Sequence, residues 1–195
     1  METQAFTTIK SASSFELKER GSKFLAFAYP IENELNVKTH LDDLKLAFPD
    51  ATHHCYAFKF FDSYRANDDG EPKNSAGMPI YRQILSESLD CVLVIVVRYY
   101  GGKKLGVSGL VKAYGDAAKQ CLNIAERITA IPKKTYAIRC TDNSQYLVYE
   151  FCNRLGVSPE IDDINLFKIT IESNMTSKLD ELCEIYVTLD VYLNQ

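Results

Sequence analysis

No stretch of this 195-residue chain approaches the roughly 20 consecutive apolar residues that span a bilayer. The longest run, CVLVIVV at 91–97, has the length of a strand. The first residues, METQAFTTIKSASSFELKERGSKF, lack the basic-then-apolar order of a secretory signal. Cysteine is present without pattern: Cys55, Cys91, Cys121, Cys140, Cys152 and Cys183 form no CxxC pair, and most lie in apolar surroundings. Reduced, buried thiols in the cytoplasm are therefore expected rather than a disulfide framework. An excess of positive charge is missing too. Residues 1–130 hold 16 Lys+Arg against 16 Asp+Glu, and residues 131–195 hold six against ten. Neither part has the field of a general phosphate-backbone binder, which leaves room only for a local basic patch. Low-complexity tracts and internal repeats are absent. What remains is 46 % hydrophobic and 25 % charged, enough for a substantial core and too apolar for intrinsic disorder.

Periodicity predicts an α+β chain in two domains, 1–130 and 131–195. Strands are expected at 5–10, 22–29 and 54–61, with a helix over 33–47 carrying Leu35, Leu41 and Leu44 and stopping at Phe48-Pro49. Residues 62–78, DSYRANDDGEPKNSAGM, read as a long loop, and loops of that length are uncommon without a task. A helix is expected from Pro79, since proline suits a first helical turn. CVLVIVV is apolar at every position, which predicts a central strand covered on both faces. A long helix follows over 107–127, its apolar stripe including Leu110, Tyr114, Ala118 and Cys121. ITAIPKKTY at 128–136 reads as a junction. Beyond it come strand 134–140, helix 143–155, strands 157–162 and 165–172, helix 176–183 and strand 184–192. The last strand rests on the alternation Ile185/Val187/Leu189. The order β-α-β-β-α-β predicts a ferredoxin-like second domain.

Residues 98–110, RYYGGKKLGVSGL, concentrate four glycines, two lysines and an arginine. The spacing refuses a Walker A loop, because Val107 stands where lysine is required, and GGKKLG is not a dinucleotide-binding fingerprint. Two readings remain. Gly101, Gly102 and Gly106 can turn a strand sharply into a helix. Alternatively, the N–H groups opening that helix near Ser108, with Lys103 and Lys104 beside them, can seat a small anion. Asp68, Asp69 and Glu71 crowd around Gly70. They could hold Mg²⁺, although the spacing of a calcium loop is missing, or they could pair with Arg98 or Lys103 and order the loop. His53 and Cys55 share one face of the expected strand and His54 faces the other, so three metal ligands do not converge there. No metal site and no cofactor is expected. Tyrosines 56, 64, 81, 99, 100 and 114 gather near these segments and could stack bases or anchor the core.

Four ordered blocks, GSKFLAFAYPI, DATHHCYAF, NDDGEPKNSAGMPI and VVRYYGGKKLGVSGLVKAYGDAA, resemble the YigZ/IMPACT family in its bacterial two-domain type. The family pattern falls on Ser22, Phe24, Ala51, His53, Cys55, Ala57, Asp68 to Pro72, Ala76, Gly77, Pro79, and on Arg98 to Gly102, Lys104 to Gly106, Gly109, Leu110 and Tyr114. Met78 stands where a basic residue is usual, Tyr100 where phenylalanine is common, and Ser108 where many members have glycine. For the first domain the resemblance implies the fold of the second domain of ribosomal protein S5. For the second it implies a ferredoxin-like domain similar to the C-terminal domain of elongation factor G. Eukaryotic relatives act in translational control, and nucleic-acid binding has been proposed for bacterial members.

Three functions compete on these grounds. The first is a cytoplasmic binder of RNA or a ribosome-associated protein, working through His53, Arg98, Lys103, Lys104 and the glycine turn. The second is a Mg-dependent enzyme acting on a small phosphorylated or anionic metabolite, with Asp68, Asp69 or Glu71 as metal ligand or base. The third is a protein–protein interaction module in which the acidic loop and the glycine turn support one another. No membrane partner is expected.

Overall fold

The structure, a computed structural model, describes residues 4–193. It divides into two compact units, one of residues Phe6–Thr129 and one gathering residues 130–193 with Gln4 and Ala5. Among the described residues no helix is long and apolar enough to cross a membrane.

The first unit runs β1 (Phe6–Ile9), β2 (Ser13–Glu19), β3 (Ser22–Pro30), α1 (Glu34–Ala47), β4 (His53–Phe60), β5 (Ser63–Asn67), α2 (Gly77–Ser86), β6 (Val92–Tyr99), α3 (Gly106–Asn123) and β7 (Arg127–Ala130). Five strands form one antiparallel sheet in the order β2-β3-β6-β4-β5, while β1 pairs with β7. Central β6 is fully buried from Val92 to Val97, as its unbroken apolar run predicts. Val92, Val94 and Val96 face a core shared with Phe24, Ala26, Ala57, α2 and α3. Leu93, Ile95 and Val97 face the opposite core, made with Phe58 and with Val37 and Leu44 of α1. Burying each such side chain contributes about 1.5–3 kcal/mol. Small residues on both sides, Ala26 and Ala28 on the sheet and Ala113, Ala117 and Ala118 on α3, let helix and sheet approach closely. Asn33 caps α1 by accepting from the Asn36 N–H at 3.1 Å, and the Asn36 side chain returns the bond to the Asn33 N–H at 3.3 Å. Just before β6, Asp90 accepts from the N–H groups of Phe61 (2.6 Å) and Cys91 (2.8 Å) and pairs with Lys59.

The second unit runs β8 (Lys133–Arg139), a 3₁₀ turn, α4 (Gln145–Leu155), β9 (Glu160–Asp163), β10 (Leu166–Glu172), a second 3₁₀ turn, α5 (Thr176–Ile185) and β11 (Asp190–Leu193). Its sheet is antiparallel throughout, in the order β11-β8-β10-β9. Ile138, Phe167, Ile169 and Ile171 line one face, against Val148, Phe151 and Leu155 of α4 and Leu179 of α5.

Several expected boundaries are corrected. β2 was not expected at all, and β5 lies inside what reads as a 17-residue loop. α2 begins at Gly77, two residues before Pro79, and α3 ends at Asn123. The stretch 184–189 is not a strand: Ile185 ends α5, and Ile185 and Val187 are 61 % and 80 % exposed while only Leu189 is buried. All six cysteines are free thiols, five of them buried.

Candidate functional site

Antiparallel register sets Phe24 of β3, Arg98 of β6 and His53 of β4 side by side across three strands. Arg98 continues the Val92/Val94/Val96 series, so its side chain enters the α2/α3 side of the sheet where that apolar core ends. The guanidinium is 6 % exposed and pairs with Glu71, itself 4 % exposed. Its Nη2 donates to Ser22 Oγ at 3.4 Å, and it lies 5.4 Å from the Phe24 ring centroid and 5.5 Å from that of Tyr100. Its Nε is buried without a partner. Glu71 Oε1 also accepts the Tyr114 hydroxyl at 2.8 Å, and His53 Nε2 stands 3.9 Å from it. The Cys55 thiol lies in donor range of the Tyr114 oxygen at 3.3 Å and of the Asp68 carbonyl at 3.0 Å. Burial, reinforced by Cys55 and Glu71, pushes the Tyr114 hydroxyl well above the usual phenol range, so it remains a donor. Burial likewise holds Cys55 as a neutral thiol, the opposite of what a nucleophile requires.

The acidic loop is committed carboxylate by carboxylate. Asp68 accepts from the N–H groups of Asn74 (2.7 Å), Ala76 (2.9 Å) and Gly77 (2.8 Å), and so caps α2 from outside the helix. Asp69 accepts from the His54 N–H at 2.6 Å, and its carbonyl takes the His53 Nδ1 proton at 2.7 Å. Glu71 alone reaches Arg98. The three acids thus point at three different partners, and among the described residues no group of three or more His, Cys, Asp and Glu is placed to hold a metal. Gly77 is required where it is, because a Cβ there would sit 2.5 Å from the backbone nitrogen of Asn67.

The glycine turn links Tyr99 to the start of α3. Gly101 lies against the β2–β3 hairpin so tightly that a Cβ would fall 1.9 Å from the carbonyl carbon of Gly21. Ser22 Oγ accepts the Gly101 N–H at 3.2 Å, and Thr52 Oγ1 accepts that of Tyr100 at 3.0 Å. Gly102 and Gly106 take positive φ, +80° and +73°. Lys103, Lys104 and Ser108 are exposed, and neither lysine enters an ion pair among the described residues. α3 opens without a side-chain cap, leaving its first N–H groups free of one.

The residues singled out from sequence therefore fall into two groups. Glu71, Arg98 and His53 converge in a buried cluster, joined to Gly101 through Ser22. Lys103, Lys104, Gly106 and Ser108 form an exposed rim that the acids do not reach. Arg98, expected on an open surface, is withdrawn from it by Glu71, Phe24 and Tyr100. The expected site residues omitted Tyr114 and Ser22, although both lie in the quoted family blocks. A single hydroxyl in the apolar stripe of α3 was the available signal for Tyr114, and nothing local distinguishes Ser22.

Comparison with known proteins places these features. The Impact N-terminal domain model matches residues 20–122. An IMPACT family member of Haemophilus influenzae is 33 % identical over 153 residues, covering 76 % of this chain and 74 % of the relative. An IMPACT family member in the pol 5′ region of Thermus thermophilus is 44 % identical over 106 residues, 54 % of this chain and 58 % of the relative. YigZ of Escherichia coli is 34 % identical over 124 residues, 61 % of each chain. The crystal structure of a hypothetical protein shares the fold with a TM-score of 0.78 at 23 % identity, covering 98 % of both chains.

Proposed function

The chain belongs to the IMPACT family, and from that premise we propose that it is a cytoplasmic, non-catalytic binding protein whose glycine turn docks on RNA in a translation-associated setting. One observation carries this reading. The three acids of the 68–71 loop are engaged elsewhere, and Lys103 and Lys104 stand exposed and, among the described residues, without ion pairs beside the uncapped start of α3. Phosphate oxygens are the ligand such a rim meets best. The buried Glu71–Arg98 pair is the scaffold that aims it, rather than a contact surface. Catalysis through Glu71 is disfavoured because that side chain is 4 % exposed and its Oε1 is engaged by Arg98 and Tyr114. Within this reading the first domain, 1–130, takes the ribosomal protein S5 domain 2-like fold. The second, 131–195, takes the ferredoxin-like fold, which its β-α-β-β-α-β order and β11-β8-β10-β9 sheet support.

The test is fluorescence anisotropy of a labelled single-stranded RNA against salt, for the wild type and the Lys103→Ala/Lys104→Ala double variant. Two lost phosphate contacts flatten the log–log salt slope by about 1.4 and weaken binding at low salt. Equal slopes, or negligible binding by both proteins at low salt, would overturn the proposal.

A further inference from the structure

The second unit carries a surface of the opposite character, and it is independent of the glycine turn. Of the large apolar side chains exposed in that unit, four are Tyr146 (65 %), Tyr149 (44 %), Ile161 (71 %) and Ile164 (82 %). They belong to one corner. Tyr146 and Tyr149 are three apart on α4 and so lie on one helix face. The Tyr149 ring packs edge-on to Phe167 at 5.8 Å, and Phe167 pairs across the sheet with Ile161. The Gln145 side chain donates to that of Asn165 at 2.8 Å, which holds the start of α4 beside the β9–β10 turn that carries Ile164. Solvent-facing apolar groups gathered this way mark an interaction surface rather than scattered surface residues.

Two further facts narrow the occupant. β9 is an edge strand, paired with β10 on one side and, among the described residues, with no strand on the other. It is also acidic, reading Glu160-Ile161-Asp162-Asp163, and among the described residues only Asp162 of these acids has a cation partner, Lys168. An edge bearing this charge repels RNA and anionic lipid, and it repels a second copy of itself. It accepts an extended segment that brings cations for Glu160 and Asp163 and apolar side chains for Ile161 and Ile164. We propose that β9 is a docking edge for a basic, apolar strand of a partner protein, which adds to the sheet as a fifth strand through backbone hydrogen bonds. Alternation within the incoming strand fits the site, because side chains on one face meet Ile161 and Tyr149 while those on the other meet Glu160 and Asp163, which a bulge at Asp162 brings to the same face.

The experiment titrates the full chain with a short synthetic peptide of alternating lysine and valine, and with the same peptide carrying glutamate for lysine. Affinity is read by anisotropy, and the site by amide chemical shifts and hydrogen exchange. The lysine peptide should bind and protect the amides of 160–163, and the glutamate peptide should not bind. The Glu160→Gln/Asp162→Asn/Asp163→Asn variant should weaken binding by about tenfold at low salt. Ile161→Ser should weaken it at all salt concentrations, with circular dichroism confirming that the sheet is intact. The inference falls if the lysine peptide does not bind, if it perturbs amides elsewhere but not those of β9, or if both peptides bind alike. Concentration-dependent self-association through β9, or RNA protecting the same amides, would overturn it equally.

Discussion

Replacing Glu71 by alanine removes the only ion-pair partner of Arg98 among the described residues and the acceptor of the Tyr114 hydroxyl. Both donors remain buried, since Arg98 is 5 % exposed and Tyr114 is fully enclosed. Breaking one side of a buried pair costs about 3–5 kcal/mol, because the surviving charge keeps its desolvation penalty and loses its compensation. An orphaned buried hydroxyl adds about 1–3 kcal/mol, less whatever relaxation the two losses share. A loss near 4 kcal/mol is a large part of the roughly 5–15 kcal/mol that holds an ordinary domain together. Arg98→Met should cost a similar amount for the mirrored reason. The double variant Glu71→Ala/Arg98→Met, which leaves no buried charge, should recover much of the loss and give a coupling of about 2 kcal/mol or more. Hydrogen exchange of the β6 amides in mild denaturant is the suitable assay, because it reports on this unit without requiring the whole chain to unfold in one step. If Glu71→Ala costs less than about 1 kcal/mol, or if the two single effects simply add, the cluster is not the support argued for it.

Two further outcomes can be checked alongside. Gly101→Ala drives a Cβ into the backbone of Gly21 and should cost about 1–3 kcal/mol, whereas Gly102→Ala meets nothing within 4 Å and carries only its positive φ; thermal melts should rank the first variant well below the second. Burial lowers the pKa of His54, against a partial opposing pull from Asp69, so the unfolded chain takes up the proton first; stability is full above about pH 6.5 and declines as pH falls below it, and urea midpoints should show a smaller decline for His54→Phe.

What could be read from the sequence, and what could not, follows from where each residue finds its partners. β6 and α3 were legible because a strand covered on both faces and a long helix with one buried stripe write their burial into local pattern. β2 and β5 were not, because SSFELKE and SYRAN are edge strands whose exposed sides look like loop. The alternation of Ile185, Val187 and Leu189 misled for the opposite reason, since a helix end and a turn can mimic period two over five residues. At the site, a pairing of Arg98 with the acidic loop was foreseeable, but the choice of Glu71 over Asp68 and Asp69 was not. That choice is made by the N–H groups of Ala76, Gly77 and His54, which occupy the other two carboxylates and are set by the chain's return path rather than by spacing. Lys103 stays outside the cluster because Gly101 is clamped to the hairpin before the lysines begin.

The interior of β6 poses a problem of alignment. Six consecutive buried residues, all Val, Leu or Ile, offer no polar side against which to count, so a slip of one position would exchange like for like along most of the strand. The bounds of the strand supply the missing punctuation. At one end Asp90 is tied to Lys59 and to the backbone of Phe61; at the other Arg98 is tied to Glu71. Shifting β6 by a single residue would turn the guanidinium toward the α1 side, into the apolar core of Val37, Leu44 and Phe58, and tear both anchors at once. The apolar residues between them fill the two cores, and the two charged ends keep the strand in frame.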